Sequence, residues 1–197
     1  MSTAGSVDDG DRLSVTLARS WGRVLVAPRR FFRTHVVPGD QAPGLLFAMG
    51  VVLIVQVTRF ALEGSPTTAT PRALGARAVW IIVAVLFVTP AALHLIAALQ
   101  TVLLIPVARD RGGVSETVQI LAYAGAPCAF AGVPIPELRA LAGLYATALL
   151  AVGLSEVHRI RIGRTLVVGA APALLAYGLG FGTLDAVTTL LACWYII

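Results

Sequence analysis

From Ala78 to Ala108 the chain runs for 31 residues without an Asp, Glu, Lys or Arg. Leu45 to Thr58 and Thr165 to Leu184 are also free of charge. A run of about 18 or more such residues suits the hydrocarbon layer, which roughly 20 helical residues cross. Lipid offers no partner to backbone amides, so these stretches must be helical. Charged residues make up 13% of the chain, against about 25% in a soluble domain. The expected fold is all-α: a polytopic integral membrane helical bundle with about five transmembrane helices and an N-terminal amphipathic helix at the interface.

The chain divides into three parts. Residues 1–11 are small, polar and acidic, and read as a disordered tail. They lack the basic and apolar regions of a signal peptide, so no cleavage is expected. Residues 12–43 read as an amphipathic, juxtamembrane segment. Leu13, Leu17, Trp21, Val24 and Leu25 recur at helical spacing, while Arg19 and Arg23 fall on other faces. That pattern suits a helix lying in the plane of an anionic surface. Pro28 interrupts it, and Arg29, Arg30, Phe31, Phe32 and Arg33 then set two aromatic wedges among cations at headgroup depth. The expected role of these residues is contact with the membrane surface or with a partner.

Residues 44–197 are expected to form the transmembrane domain, with spans at about 44–62, 74–105, 117–133, 138–154 and 164–181, and a helical continuation to 197 or, as the main alternative, a sixth, irregular crossing. The second would reach about 45 Å as a straight helix, well beyond the ~30 Å core, so it should tilt or kink at Pro90. In the first, Arg59 is expected to snorkel to the interface beside Phe60. His94 is expected to hydrogen-bond to a neighbouring helix. The third and fourth spans form a hairpin. Gly112 and Gly113 allow a reversal, Ser115 is the expected N-cap with Glu116 in the first turn, and Pro134 and Pro136 make the corner. Ala122, Ala126, Ala142 and Ala146 give the small-residue spacing on which helices pack in lipid. Cys128 and Cys193 are far apart and read as small buried hydrophobes.

Arginine placement orients the chain. With five spans, one side carries Arg12, Arg19, Arg23, Arg29, Arg30, Arg33, Arg109, Arg111, Arg159, Arg161 and Arg164, and the other only Arg59, Arg72, Arg77 and Arg139. The positive-inside rule then puts the N-terminus and the loops at Gly112 and His158 in the cytoplasm. The expected location is the plasma membrane of a prokaryote such as an archaeon.

The hairpin resembles a known family. Gly112-Gly113, Ser115, Thr117, Leu121-Ala122-Tyr123-Ala124, Ala126-Pro127, Pro134-Ile135-Pro136, Tyr145, Gly153-Leu154 and Val157-His158 look like the Yip domain, the Ypt/Rab-interacting membrane protein family. Pro28 with Phe31-Phe32, and Pro172 in the last span, are similar to its prokaryotic members. The resemblance covers about Pro28 to Leu179. It implies five spans, a cytoplasmic N-terminus and a non-enzymatic role, with Gly112, Gly113, Tyr123, Pro127, Pro134, Pro136, Gly153 and His158 as its structural motif. Eukaryotic relatives engage prenylated Rab-type GTPases. Their acidic-aromatic N-terminal signatures are absent here, so that partner is not carried over.

No hydrolase, zincin or phosphate-loop motif is present, and His35, His94 and His158 lie in separate segments. No catalytic residue, cofactor, metal or nucleic acid is expected. Two functions follow. One is a scaffold or adaptor contacting the bilayer and, at its cytoplasmic face, a protein partner or a second copy of itself. The other is a small transporter or channel subunit in which Gln56, His94, Gln100, Gln119 and Tyr123 line a polar path.

Overall fold

The computed structural model describes residues 16–63, 70–108 and 111–195. The expected disordered tail, 1–11, lies outside them. Every element among the described residues is helical. Residues 16–26 form α1, followed by α2 (Pro28–His35), α3 (Ala42–Glu63), α4 (Pro71–Val83), α5 (Thr89–Leu104), α6 (Val114–Ala124), α7 (Pro136–His158), α8 (Ile162–Ala173) and α9 (Thr183–Trp194). Four helical runs are long and apolar enough to cross a bilayer: Ala42–Leu62, Arg72–Leu104, Pro136–His158 and Ile162–Leu179.

The run Arg72–Leu104 is continuous, as its composition predicts, and Pro90 does not break it. Pro90 lacks an N–H, and its ring crowds the carbonyl one turn back. The helix answers by widening into a π turn over Ala84–Val88. There the Thr89 amide and the Thr89 hydroxyl (2.8 Å) both donate to the Ala84 carbonyl. A second π turn, Leu174–Leu179, follows Pro172. Pro172 cannot donate to the carbonyl of Val168, and the Gln100 side-chain amide of α5 donates to it instead at 3.3 Å. One proline thereby creates the bond that joins two helices.

The third expected span departs from a plain helix. α6 stops at Ala124, and the chain continues as 3-10 turns over Ala126–Gly132, with Pro127 near their start. This strand of helix runs beside α3 in the same direction. Gly44 of α3 lies against Gln119, Phe47 against Tyr123, and Val55 and Thr58 against Gly132. Nearly every residue of it is buried. After Pro134 and Pro136, α7 returns along it, with Gly153 against Ile120. The α6 N-cap is Gly113, two residues earlier than Ser115, because the Gly113 amide donates to the Glu116 carboxylate at 3.0 Å.

The C-terminal stretch is not a continuation of the last long helix. Gly182 adopts a left-handed backbone (φ 74°), which ends the run and folds α9 onto α7. Cys193 sits exposed on α9, whereas Cys128 is buried as expected. Trp194 and Tyr195 are exposed.

Close approach sets the packing. A methyl group on Gly132 would lie 2.7 Å from the Val55 carbonyl oxygen, while one on Gly50 would meet open space. Gly132→Val should therefore destabilise the bundle by about 1–3 kcal/mol. Gly50→Ala should leave it unchanged or raise it by about 0.5–1 kcal/mol. Thermal unfolding of both variants in detergent checks the pair.

Candidate functional site

The α2 segment Pro-Arg-Arg-Phe-Phe-Arg-Thr-His has two adjacent aromatics, and the bundle takes both. Phe31 and Phe32 are 2% and 1% exposed. Phe31 packs edge-on against Phe32 (ring centroids 5.8 Å) and Tyr123 (4.9 Å), and His35 stacks on it at 4.4 Å. The Phe32 ring abuts Gly153, where a side chain would strike it. The two rings are therefore core anchors and not headgroup wedges. A space against α7 that only glycine leaves open draws Phe32 inward, and burial of an aromatic ring outweighs its partition to an interface.

Inward aromatics force the cations outward. Arg29, Arg30 and Arg33 are exposed. Arg33 Nε donates to Glu156 Oε2 at 2.5 Å, and Arg29 Nε lies 3.7 Å from Glu156 Oε1. An open depression of about 550 Å³ lies here, lined by Phe32, Arg33, Ser155, Glu156 and Arg159.

Three connecting loops meet at this end. His158, buried at the last turn of α7, accepts from the Gly112 amide through Nδ1 at 3.0 Å, so its proton resides on Nε2. Among the described residues Nε2 has no partner. Gly112 and Gly113 close on Glu116 and His158 tightly enough that a methyl group on either would press on a carboxylate oxygen at 3.0–3.4 Å. Gln119 clamps the third loop. Its Oε1 accepts from the Val37 amide (3.1 Å) and its Nε2 donates to the Val37 carbonyl (2.7 Å), as a neighbouring strand would. The motif residues thus divide along the molecule. Gly112, Gly113 and His158 gather at this end, Tyr123, Pro127 and Gly153 line its interior, and Pro134 and Pro136 turn the chain at the opposite end.

α1 extends the surface along the flank. Trp21 Nε1 donates to the Ala126 carbonyl at 2.9 Å with its ring 5.7 Å from Phe130, and the Tyr145 hydroxyl donates to the Leu25 carbonyl at 2.5 Å. Arg19 and Arg23 face away from these contacts and are exposed. A groove of about 610 Å³ remains beneath α1, lined by Leu17, Trp21, Ile54, Thr58 and Phe130.

The five side chains of the expected polar path do not converge. Gln119 is held by Val37 and Gln100 by Val168. His94 Nδ1 turns to the Pro90 carbonyl of its own helix at 2.7 Å rather than to a neighbour. Tyr123 is buried among Phe31 and Phe47, and Gln56 lies near the opposite end beside Arg59 and Trp80. No group of three His, Cys, Asp or Glu that could hold a metal exists among the described residues.

A family model, the Yip1 domain, matches residues 22–184. The chain belongs to the Yip1 domain family, and the resemblance drawn from the hairpin holds over most of its length. That family is not a known enzyme family. No curated protein and no solved structure matches the chain significantly.

The anchoring of α2 has a direct test. Phe32→Ala should cost about 3–5 kcal/mol of stability, whereas Arg30→Gln on the outer face should stay within about 0.5 kcal/mol. Denaturation of the two variants in detergent separates a core aromatic from a surface one, for which both changes would be silent.

Proposed function

We propose that this Yip1-domain protein works without catalysis, as a scaffold or adaptor that holds a cationic docking rim at the cytoplasmic face of a prokaryotic plasma membrane. The observation that carries this reading is the mounting of α2. Two buried aromatics fix the helix, and Arg29, Arg30 and Arg33 are left outward on a rigid base. Arg111, Arg159, Arg161 and Arg164 are exposed on the loops and helix start at the same end. A fixed array of guanidinium groups suits bidentate contact with phosphates of headgroups or with carboxylates of a protein.

The rim also supports the orientation. The bundle's other end carries Arg59, Arg72, Arg77 and Arg139, so the cationic excess follows the positive-inside rule with the Gly112 and His158 loops cytoplasmic. A fifth crossing is supported by the run through α6 and the 3-10 turns. Its 3-10 part rises about 2.0 Å per residue against 1.5 Å in an α-helix, so the run can reach about 30 Å despite its short α-helix.

Arg19 and Arg23 on the flank favour a protein contact, from a partner or a second copy. A guanidinium left in hydrocarbon costs about 2.5–3.5 kcal/mol by insertion measurements. Trp21 supplies the seat of α1 and not the contact itself.

Two measurements test the proposal. Reporter fusions after Gly113 should read as cytoplasmic and fusions between residues 63 and 70 as external. A photo-cross-linker at Arg30 in native membranes should give one discrete protein adduct that Arg29→Glu with Arg159→Glu abolishes. An external reading at Gly113 would overturn the orientation, and adducts to lipid alone would overturn the adaptor role.

A further inference from the structure

At the end of the bundle away from the rim, polarity changes in steps along one path. Arg59 and Arg77 line a cavity of about 220 Å³ together with Gln56, Phe60 and Trp80. The Arg77 guanidinium lies 5.8 Å from the centre of the Phe60 ring. Gln56 and Trp80 also line a second cavity of about 260 Å³, which continues inward past Val52, Ala84, Val88 and Ala122 to Leu175. Beyond Gln56 its walls are almost wholly apolar.

The cavity has a cause in the sequence. Both π turns face it, through Ala84 and Val88 of one and Leu175 and Tyr177 of the other. A π turn widens the helix, and such turns recur at functional sites. Small side chains at Ala84, Ala122 and Gly125 deepen the space beside the two π turns. An apolar void of this kind at the lipid boundary is filled by whatever apolar chain is at hand, because an empty one forfeits contacts along its whole lining.

We propose that this path seats one phospholipid of the leaflet at that end, its phosphate between Arg59 and Arg77 and one acyl chain in the π-turn cavity. The charge order matches the ligand: guanidinium groups at the rim, an amide and an indole at ester depth, then hydrocarbon. Arginine pairs recognise phosphate through several N–H donors at once, and Trp80, 57% exposed, lies where indoles collect at a bilayer interface. The site is distinct from the α2 rim and does not depend on it.

Native mass spectrometry of the full chain in detergent tests the seat with added phosphatidylglycerol and phosphatidylcholine. The wild type should retain one molecule per chain and prefer the anionic lipid. Arg77→Gln, at an exposed position, should reduce that preference about tenfold, the loss of one charge-assisted contact. Ala92→Phe, which fills the cavity from a half-buried position, should abolish retention of both lipids while the unfolding temperature holds. Glycerol phosphate, which has the head and no chain, should not be retained. Retention unchanged by Ala92→Phe, or equal preference for the two lipids in the wild type, would overturn the proposal. Loss of the adduct in Arg29→Gln with Arg30→Gln would assign it to the other end and overturn it equally.

Discussion

In a bilayer a backbone carbonyl that loses its helical N–H finds no water to replace it. Prolines and turns in this chain open such carbonyls repeatedly, and side chains close them. Gln100 answers the carbonyl freed by Pro172, and the Thr89 hydroxyl adds a second bond at the π turn before Pro90. Trp21, Tyr177 and Arg139 donate to Ala126, Leu121 and Ala131, all in or beside the 3-10 segment. Arg59 donates to Phe181 where the last long run ends. Most of these bonds join different elements, so the defects in the helices are also where the helices are tied together.

This obligation explains why the intramembrane polar residues form no path. A conduction route needs polar side chains that face a common space. Gln100, Gln119 and His94 instead engage backbone groups on separate faces. Each such bond contributes only about 1 kcal/mol, but leaving the partner unmade in lipid costs more. The polar residues are held by that asymmetry.

Charge patterning made the long runs legible, since absence of charge over a helix length has a single physical meaning in a chain this apolar. Residues 44–62, 74–105, 138–154 and 164–181 each correspond to an observed long helix. What the pattern could not convey was where aromatic residues point. Phe31 and Phe32 stand among arginines, and the residues that receive them, Gly153 beside Phe32 and Tyr123 beside Phe31, lie some 90–120 residues later. The turn at Gly182 was also hidden, because three glycines in an apolar stretch are compatible with a packed helix as well as with a stop. The hairpin motif was readable at its turns, Gly112-Gly113 and Pro134-Pro136, but not in its interior, where Gly153 meets Ile120 and Phe32 and Pro127 opens the 3-10 turns.

The two ends of the molecule therefore differ in kind. At one, Gln119 and His158 tie the loops at Val37 and Gly112 to the bundle, Glu156 pairs with Arg29 and Arg33 of α2, and the arginines stand outward. Toward the other, the two π turns line a cavity between the helices. The long Arg72–Leu104 run connects the two ends, and Gln100 ties it to α8 roughly midway along the latter. The cavity there is bounded by the π turn at which the Thr89 hydroxyl donates to the Ala84 carbonyl, so the same residues that close the backbone defect also shape the space beside it.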